Sequence, residues 1–353
     1  MRNFSLPLRV CTVLSRRFYF VFTDDSSLAL DALSLWAYTE IILNSQRETE
    51  SKRMIWFYVF LIAFVFLLHF LAIAPAKKRL LPDHPLCGRT YAHRGLHSLR
   101  NQVPENSMPA FSYAASRGYG IELDVRLSAD GQVVVFHDDN LSRMTGDPRR
   151  VESVPAAELC AMSLDNTSHT IPLFADVLAE VRGRVPLIVE IKPDSSREEL
   201  CRKVLETLEG YEGLYCVESF DPRVLYWFRR HAPQVIRGQL STRMKLAAPR
   251  LNPILAFALT NLYCNFISRP HFIAYDYNFF DTPNLRTLRT RYGAANAAWT
   301  IDNFNDYENC VHYAQMVIFE GIQPPQQFHD PRDRVARHES TIVGDRRPGG
   351  NRK

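Results

Sequence analysis

The chain has 353 residues, a formal net charge of +4 and a mean hydropathy of −0.19, with 46% hydrophobic and 23% charged residues. This ordinary globular composition excludes a collagen-like or low-complexity chain, a disulfide-stabilised miniprotein and a polytopic membrane protein. The weak positive charge gives no evidence for a nucleic-acid partner, and the length allows two domains or one large barrel with extensions.

Residues 1–53 show no clean pattern that continues into the segment that follows them. Met54 stands directly before a strongly apolar run. We therefore expect the natural chain to start at Met54, and we treat 1–53 as an uncertain N-terminal extension. The alternative interpretation is a genuine N-terminal arm.

Ile55–Ala74 is a run of twenty residues without a formal charge, in which only His69 titrates near neutral pH. Twenty helical residues cover about 30 Å, which is the hydrocarbon thickness of a bilayer. The run therefore predicts one membrane-spanning helix at 54–76. A buried core helix would keep a polar stripe, and a signal peptide usually has a shorter apolar region and a small-residue cleavage site.

Two features favour a single-pass membrane protein whose C-terminal domain is cytoplasmic. Three cations follow the apolar run at 77–79, whereas the two that precede it at 52 and 53 are accompanied by acidic residues. Positive-inside counting then places the C-terminal side in the cytoplasm. The seven cysteines are scattered, odd in number and without a CxxC pair, which indicates reduced core thiols and no disulfide frame or zinc site.

From Thr90 onwards, short β-rich runs alternate with helical patterns. The helical patterns begin near Ser, Asp or Thr, as helix starts prefer, and lie at 107–118, 196–210, 221–233 and 282–293. The eight predicted strands lie at 90–94, 120–125, 185–192, 214–220, 235–240, 272–277, 297–301 and 316–321. This order predicts an α/β fold, a (β/α)8 TIM barrel at 88–327. A doubly wound open sheet is the alternative, but no GxGxxG follows the first strand.

A ninth β-rich run at 133–137 lies too close to the 120–125 strand for a helical crossover. It must return as a β-hairpin, which extends the barrel after its second strand. The turn signal is the Asp-Gly pair at 130–131, which is typical of a two-residue loop. With such a loop the paired positions sum to 261, and His137 lies directly opposite Asp124.

Three carboxylates occupy the ends of two predicted strands, where a barrel carries its chemistry. Glu122 and Asp124 stand at i and i+2, which puts both on one face of the second strand, and Glu190 lies on the third parallel strand. Buried carboxylates must be paired or bind a metal. Oxygen ligands favour a hard divalent cation, Mg²⁺ or Ca²⁺, over zinc. We therefore predict a metal site at these three residues.

Two cations and two histidines are predicted at the same strand ends. Arg94 and Lys192 remain to hold an anion, and Arg suits bidentate contact with phosphate. His93 and His137 offer an acid and a base near neutral pH. Together with a hard metal, these groups indicate phosphoryl ester chemistry.

Each of these residues also has a purely structural interpretation. A single histidine at a strand end is more often structural than catalytic, and a Glu-x-Lys pair is often only a salt bridge. The convergence of several titratable side chains on one barrel mouth nevertheless favours a functional site over coincidence.

The sequence resembles the glycerophosphodiester phosphodiesterase family in the run that contains AHRG, PEN, GIELDVRLSADGQVVVFHDD and LSRMTG. The segments IPLFADVL, VPLIVEIKP, ESFDP and AAWTIDN follow in the order that this family shows. The resemblance, to a membrane-anchored bacterial-type member, covers roughly residues 88–323. The HRG–PEN–ELD–HD–EIK series is far more specific than any one of its motifs.

The resemblance implies a TIM-barrel phosphodiesterase that requires one divalent cation, Mg²⁺ or Ca²⁺. Such an enzyme cleaves a glycerophosphodiester to sn-glycerol 3-phosphate and an alcohol. The HRG and HD motifs imply that His93 and His137 are the acid/base pair. The ELD and EIK motifs imply that Glu122, Asp124 and Glu190 bind the cation.

The same resemblance implies a set of substrate-binding residues. Arg94 and Lys192 would neutralise the phosphate, and Glu105 of the PEN motif would orient the site through hydrogen bonds. Trp299, at the end of the seventh parallel strand, is either a core residue or an apolar wall beside the glycerol, and the resemblance favours the wall.

The chain departs from the family pattern in two segments. The last strand usually runs into a GI-x-TD-x-P-like turn, whereas this chain has GIQPPQQ at 321–327. We expect this loop to line the mouth, so the departure concerns the substrate range and leaves the core chemistry unchanged. The segment IPLFADVL also lacks the usual acidic pair, and we attach no functional meaning to this.

A second apolar stretch at 254–267 has fourteen residues, which is too short to span a membrane comfortably. The favoured interpretation is an outer barrel helix packed on the sheet. The alternative is a patch that rests on the bilayer near the site. Further on, the end of the chain at 328–353 is turn-rich and basic, which predicts a disordered tail.

The sequence thus supports one main function and two alternatives. The main hypothesis is a membrane-anchored hydrolase that acts on small glycerophosphodiesters. The second is a lysophospholipase D that acts on lysophospholipids still in the membrane. The third is a non-catalytic barrel scaffold, for which loss of motif residues is expected, and none is lost. No protein partner can be inferred.

Overall fold

In the computed structural model, residues 26–81 and 83–329 are described, and 1–25, 82 and 330–353 lie outside the described part. Most of the predicted basic tail and half of the predicted N-terminal extension therefore fall outside it. The chain divides into two compact units, Met1–Leu68 and His69–Lys353.

The first unit contains most of a 48-residue helix, α1 (Ser26–Ile73). The sequence predicts a helix only from residue 54, so the helix begins earlier than expected. The added part contains neither Gly nor Pro and is rich in good helix formers, which explains why the helix extends through it. Ser34–Ile73 is long and apolar enough to cross a membrane, a test that a signal sequence also passes.

The second unit is a barrel of eight parallel strands with one antiparallel strand added. The strand order β1-β9-β8-β7-β6-β5-β4-β2-β3, with a further β1–β2 pairing, closes the barrel. The strands are β1 (Arg89–Ala92), β2 (Gly120–Leu127), β3 (Val133–Val135), β4 (Leu187–Ile191), β5 (Tyr215–Ser219), β6 (Arg237–Ser241), β7 (Phe272–Asp276), β8 (Ala295–Ile301) and β9 (Met316–Phe319). The predicted (β/α)8 barrel is confirmed.

Helices connect most of the parallel strands. The four predicted helices are present as α2, α6, α7 and α11, and the side chains of Asp221 and Thr282 cap two of them by accepting backbone N–H bonds. The described helices of this unit are α2 (Met108–Ser116), α3 (Ser142–Thr145), α4 (Ala156–Leu159), α5 (Phe174–Val181), α6 (Arg197–Leu208), α7 (Pro222–His231), α8 (Met244–Ala247), α9 (Pro253–Thr260), α10 (Asn265–Ser268), α11 (Pro283–Arg291) and α12 (Phe304–Cys310).

The hairpin of β2 and β3 is present, but its predicted register is wrong by one residue. Val125 pairs with Val135 and Leu127 with Val133, so paired positions sum to 260, and His137 is not opposite Asp124. The cause is a three-residue loop that ends on Gly131, whose φ of +76° is left-handed. Since β3 ends at Val135, His137 lies outside the paired part of the β2–β3 hairpin.

The alternation of side chains along β4 shows how the barrel builds two cores. Leu187, Val189 and Ile191 point outward and pack with the surrounding helices, whereas Ile188 joins the cluster inside the barrel. The same alternation turns Glu190 inward at the carboxyl end of the strand. The strand period therefore explains why this carboxylate is buried at the barrel mouth.

The closing segment (residues 323–328) follows the last strand and runs back beside β1. The Thr90 N–H donates to the Gln326 carbonyl at 3.1 Å, and the Phe328 N–H donates to the Gly88 carbonyl at 2.8 Å. The expectation that the whole GIQPPQQ loop lines the mouth is therefore wrong for Gln326 and Gln327, whereas Gly321, Ile322 and Gln323 line a cavity together with Glu320. The Pro-rich closing segment has few N–H donors, and its carbonyls pair with the edge of β1 instead.

The second apolar stretch differs from the favoured interpretation. In α9 only Ala256 is buried, and Ile254, Leu255 and Phe257 are exposed. A helix packed on the sheet would bury a continuous stripe of such residues. The interpretation as a packed outer helix is therefore wrong for α9, although the following residues Leu262 and Cys264 are buried.

Candidate active site

The three predicted metal ligands meet at the mouth of the barrel. Asp124 on β2 is in register with Glu190 on β4, and Glu122 lies two residues before Asp124 on the same face. One carboxylate oxygen of each residue lies within 4.8 Å of the others, and all three residues are buried. The structure thus brings together the acidic triad (Glu122, Asp124 and Glu190) that the strand spacing predicts.

Burial and mutual repulsion act strongly on this triad. Burial, with the neighbouring charges of Asp124 and Glu190, raises the pKa of Glu122 well above its ordinary value. Burial also raises the pKa of Glu190 to about 7, although Lys192 opposes the shift. The pKa of Asp124 is lowered, because Lys192 and His137 outweigh the cost of its burial. The triad therefore needs compensating positive charge when it is ionised.

Hydrogen bonds hold the carboxylates at defined angles. The Arg94 backbone N–H donates to Glu122 Oε2 at 3.0 Å, and Asn106 Nδ2 donates to Asp124 Oδ2 at 2.8 Å. Each carboxylate keeps a further oxygen for another partner. Such anchoring fixes the ligand atoms before a cation arrives, as in sites where outer partners orient the ligands.

The residues present fit a hard divalent cation. The three donors are all carboxylate oxygens, they converge, and Asp124 Oδ1 accepts no hydrogen bond although Lys192 Nζ lies 3.2 Å from it. Among the described residues, this is the group of His, Cys, Asp and Glu side chains with metal-binding geometry. The donor chemistry favours Mg²⁺ or Ca²⁺ over a softer metal.

His93 lies at the carboxyl end of β1 and is held by a carboxylate. Its Nδ1 atom lies 2.7 Å from Glu320 Oε2, and its Nε2 atom lies 3.9 Å from Glu122 Oε2. The His93 hydrogen bond is the largest cause that lowers the pKa of Glu320, to about 2. Glu320 thus favours a proton on Nδ1 and directs Nε2 toward the triad.

His137 lies beyond the end of β3 and forms a second histidine–carboxylate pair. Its Nδ1 atom lies 2.6 Å from Asp138 Oδ1, and Asp138 in turn accepts from Arg143 Nε at 2.6 Å. Arg126 Nη2 donates to the His137 carbonyl at 2.8 Å, which anchors the backbone here. Burial lowers the pKa of His137 to about 4, so its imidazole is neutral at neutral pH.

The two predicted phosphate-binding cations lie beside the triad. Lys192 Nζ donates to Glu190 Oε1 at 2.8 Å, and Arg94 Nη1 donates to Glu105 Oε1 at 2.8 Å. Arg94 Nε lies 3.5 Å from Asp124 Oδ2 without a hydrogen bond. Both cations are thus placed at the mouth by carboxylates, and each keeps N–H donors for an anion.

The backbone at the end of β1 has an unusual conformation that this placement requires. Arg94 has a φ of +55° and Gly95 has a φ of +81°. A Cβ on Gly95 would lie 2.8 Å from the Ala110 Cβ, so no larger residue fits without a shift. The turn aims both the Arg94 N–H and its side chain at the site, which explains why Arg-Gly follows the histidine.

Glu105 and Trp299 are the two remaining residues that the sequence predicts to bind substrate. Glu105 lies between two cations, since Arg143 Nη2 donates to its Oε1 at 2.7 Å while Arg94 binds the same oxygen. The Trp299 ring packs edge-on against Phe220 at 5.7 Å, and its buried indole N–H has no partner among the described residues.

Five polar residues of the site were not singled out by the sequence analysis. Asn106 and Asp138 adjoin the motif residues Glu105 and His137, so their neighbours gave a usable signal. No local motif marks Glu320, which follows the last strand. The other two are Arg143 and Glu218. Arg143 bridges Asp138 and Glu105, and burial raises the pKa of Glu218 well above its ordinary value.

An eight-stranded (β/α)8 barrel with an acidic triad at its mouth places the chain in the class of barrel proteins with a candidate metal site at the carboxyl ends of the strands. A sequence model described as the glycerophosphoryl diester phosphodiesterase family matches residues 93–322, which is more than half of the chain. The chain belongs to the glycerophosphoryl diester phosphodiesterase family.

Individual relatives agree with this assignment over part of their length. A glycerophosphodiester phosphodiesterase of Bacillus altitudinis is 32% identical over 42% of this chain and 64% of that protein. One of Caldanaerobacter subterraneus is 44% identical over 42% of this chain and 65% of that protein. A lysophospholipase D of Rattus norvegicus is 32% identical over 38% of this chain and 44% of that protein. The matched part spans less than two thirds of each.

Solved structures share the fold. A phosphodiesterase of Oleispira antarctica, in complex with the product sn-glycerol 3-phosphate, covers 71% of this chain and 97% of its own, with a TM-score of 0.54 and 22% identity. A glycerophosphodiester phosphodiesterase of Thermotoga maritima covers 70% and 97%, with a TM-score of 0.52 and 23% identity. At these identities the likeness shows the barrel fold alone.

We expect Glu320→Ala to lower kcat by about 10- to 100-fold with little change in KM, because the imidazole of His93 loses the partner that fixes its orientation. Steady-state kinetics and a thermal melt measure the two effects. Glu308→Ala removes an exposed carboxylate elsewhere and serves as the matched control. Unchanged kcat in Glu320→Ala would show that the pair is only structural.

Proposed function

We propose that this chain hydrolyses glycerophosphodiesters to sn-glycerol 3-phosphate and an alcohol, with one divalent cation at the acidic triad. One observation carries the proposal: the buried triad at the barrel mouth is accompanied by two histidines, each bonded to a carboxylate through Nδ1. A metal site with a paired acid and base is the equipment that phosphodiester cleavage needs.

In this proposal the side chains divide the proton transfers between them. One imidazole, of His93 or His137, removes the proton from the glycerol 2-hydroxyl, whose oxygen then attacks phosphorus. The other imidazole donates a proton to the leaving alcohol oxygen as the P–O bond breaks. Water then opens the cyclic phosphate, with the two imidazoles exchanging roles. A bound divalent cation supplies charge neutralisation for the phosphate oxygens and acidifies the attacking hydroxyl.

The remaining groups position the phosphate. Arg94 carries the planar guanidinium that suits two phosphate oxygens, and Lys192 supplies a point charge beside it. Glu105 keeps Arg94 directed at the mouth through their 2.8 Å hydrogen bond. Trp299 would form the apolar wall beside the glycerol carbons, with Phe220 packed behind it.

The direct test is an activity screen of the full chain on several glycerophosphodiesters, with and without a chelator. We expect release of sn-glycerol 3-phosphate that stops when the divalent cation is removed and returns when Mg²⁺ or Ca²⁺ is added. Comparison of the two cations at equal concentration identifies the preferred one. Activity that survives complete metal removal would contradict the proposed role of the triad.

A second candidate function is lysophospholipase D activity. The similarity to a lysophospholipase D of Rattus norvegicus and the exposed apolar side chains of α9 favour it. The bond broken would be the same, and the substrate would keep one acyl chain in the bilayer. Parallel assays of glycerophosphocholine and lysophosphatidylcholine separate the two functions, since a lysophospholipase D prefers the second substrate.

We also propose that Ile55–Ala74 anchors the chain in a membrane as a single span, with the barrel on the cytoplasmic side. The length and composition of α1 support the span, and the cations at 77–79 support the orientation. In this arrangement the substrate is either a soluble diester or a lipid of the same membrane.

A further inference from the structure

The surface formed by residues 243–266 carries large apolar side chains in contact with solvent. Ile254 is 79% exposed, Phe257 61% and Leu255 43%. These three residues lie on α9, next to one another along the chain. Exposure of such side chains in water is unfavourable, and a cluster of them marks a surface that meets something apolar.

The same surface is basic. Between Pro222 and Tyr275 the sequence contains eight Lys or Arg residues and no Asp or Glu. Three of these cations, Arg243, Lys245 and Arg250, are exposed and lie immediately before α9. Apolar side chains beside cations, in a stretch of sequence without an acidic residue, match the chemistry of an anionic lipid surface.

Hydrogen bonds place α9 at the catalytic edge of the barrel. The Ser241 hydroxyl, at the carboxyl end of β6, donates to the Leu259 carbonyl at 2.8 Å. The Tyr275 hydroxyl, at the carboxyl end of β7, donates to the Thr260 carbonyl at 2.9 Å. Because the carboxyl ends of parallel strands surround the mouth, the C-terminal end of α9 lies beside it.

The apolar run that precedes the barrel ends against this same region. His69 Nδ1 lies 3.1 Å from the Tyr263 hydroxyl, and the Tyr263 ring lies 5.9 Å from the ring of Phe257. Near the end of the run, the Ile73 carbonyl accepts a hydrogen bond from Asn265 Nδ2 at 2.9 Å. The last residues of the run are therefore continuous with the surface that carries Phe257.

From these observations we infer that residues 243–266 dock on an anionic bilayer, with Ile254, Leu255 and Phe257 inserted among the lipids. The inference rests on the proposed membrane anchoring by Ile55–Ala74. This docking adds to the anchoring by Ile55–Ala74, because it holds the barrel mouth against the lipid headgroups. Substrates in the membrane then reach the triad without leaving the bilayer surface.

The direct test uses nitroxide spin labels on the full chain in vesicles of phosphatidylcholine and phosphatidylglycerol. The labels are attached to Ile254→Cys, to Phe60→Cys in the apolar run and to Glu209→Cys at an exposed site after α6. The unsubstituted chain gives the background from its own cysteines. Power saturation by oxygen and by a water-soluble nickel complex reports how deep each label lies.

We expect the labels at 254 and 60 to be relaxed more by oxygen than by the nickel complex, and the label at 209 to show the reverse. A label at 254 that behaves like the one at 209, while 60 remains deep, overturns the docking surface and leaves the anchor intact. If 60 is also accessible to nickel, the anchor and the docking surface are both refuted.

A kinetic comparison separates this inference from the proposed reaction. In the same vesicles we expect the double variant Ile254→Ser, Phe257→Ser to lose about tenfold or more of its lysophosphatidylcholine hydrolysis while hydrolysis of glycerophosphocholine stays unchanged. Equal rates of both substrates in the variant and the parent overturn the docking surface. Absence of both activities in the parent chain instead refutes the proposed function.

Discussion

His93→Ala is expected to lower the turnover of a glycerophosphodiester by about 10³-fold, because the substitution removes one of the two groups that we propose to transfer protons. His137→Ala is expected to have a similar effect. His93 and His137 are each held through Nδ1, by Glu320 at 2.7 Å and by Asp138 at 2.6 Å, and His93 Nε2 lies 3.9 Å from Glu122 Oε2. Neither imidazole can therefore replace the other.

The control for this prediction is His312→Ala, which removes an exposed imidazole on the outside of the barrel. Steady-state kinetics, with a thermal melt on each variant, separates lost chemistry from lost folding. We expect melting temperatures close to that of the parent, since both imidazoles are only partly buried. Turnover at the parental rate in either histidine variant would refute the assignment of that residue.

Glu122→Gln is expected to weaken cation binding strongly while the cation-free protein stays at least as stable as the parent. The substitution removes one of three buried carboxylates that repel one another, and the Gln oxygen can still accept from the Arg94 N–H. We expect divalent-cation affinity to fall by about 100-fold or more, because a direct ligand is lost. Catalysis should fall with it.

Calorimetric titration and thermal melts measure both parts of this prediction. A cation at 100 times its dissociation constant stabilises the parent by about 2.7 kcal/mol, which raises the melting temperature of a domain of this size by roughly 5–10 °C. Glu122→Gln should show no such rise, whereas Glu198→Gln, at an exposed site, should show all of it. A parental cation-induced shift in Glu122→Gln would exclude Glu122 as a ligand.

The sequence predicted the barrel well, because its strands have a simple signal. Residues such as Leu187 to Ile191 form a continuous apolar run interrupted only by the inward carboxylate, and helical patterns with recognisable caps separate such runs. The acidic triad was predictable for the same reason, since the strand period alone fixes which side chains share a face.

Other features depend on contacts that one local pattern does not contain. The predicted hairpin register was wrong because the register depends on the length of the loop. A glycine at position 131 is compatible with a three-residue loop as well as with a two-residue loop. The link between His93 and Glu320 joins residues 227 positions apart, so spacing could not reveal it. For Ile254 the sequence analysis favoured a packed helix over an exposed patch, because an apolar residue is compatible with either environment.

The closing segment beside β1 has a consequence for the order of folding during synthesis. Thr90 Oγ1 bonds the Pro325 carbonyl across 235 positions, and the Tyr119 hydroxyl bonds the Pro324 carbonyl across 205. At about 5–20 residues per second, a ribosome needs on the order of 10–50 s between these partners. The barrel cannot close in that time, so β1 and β2 keep an open edge until the closing segment has been synthesised.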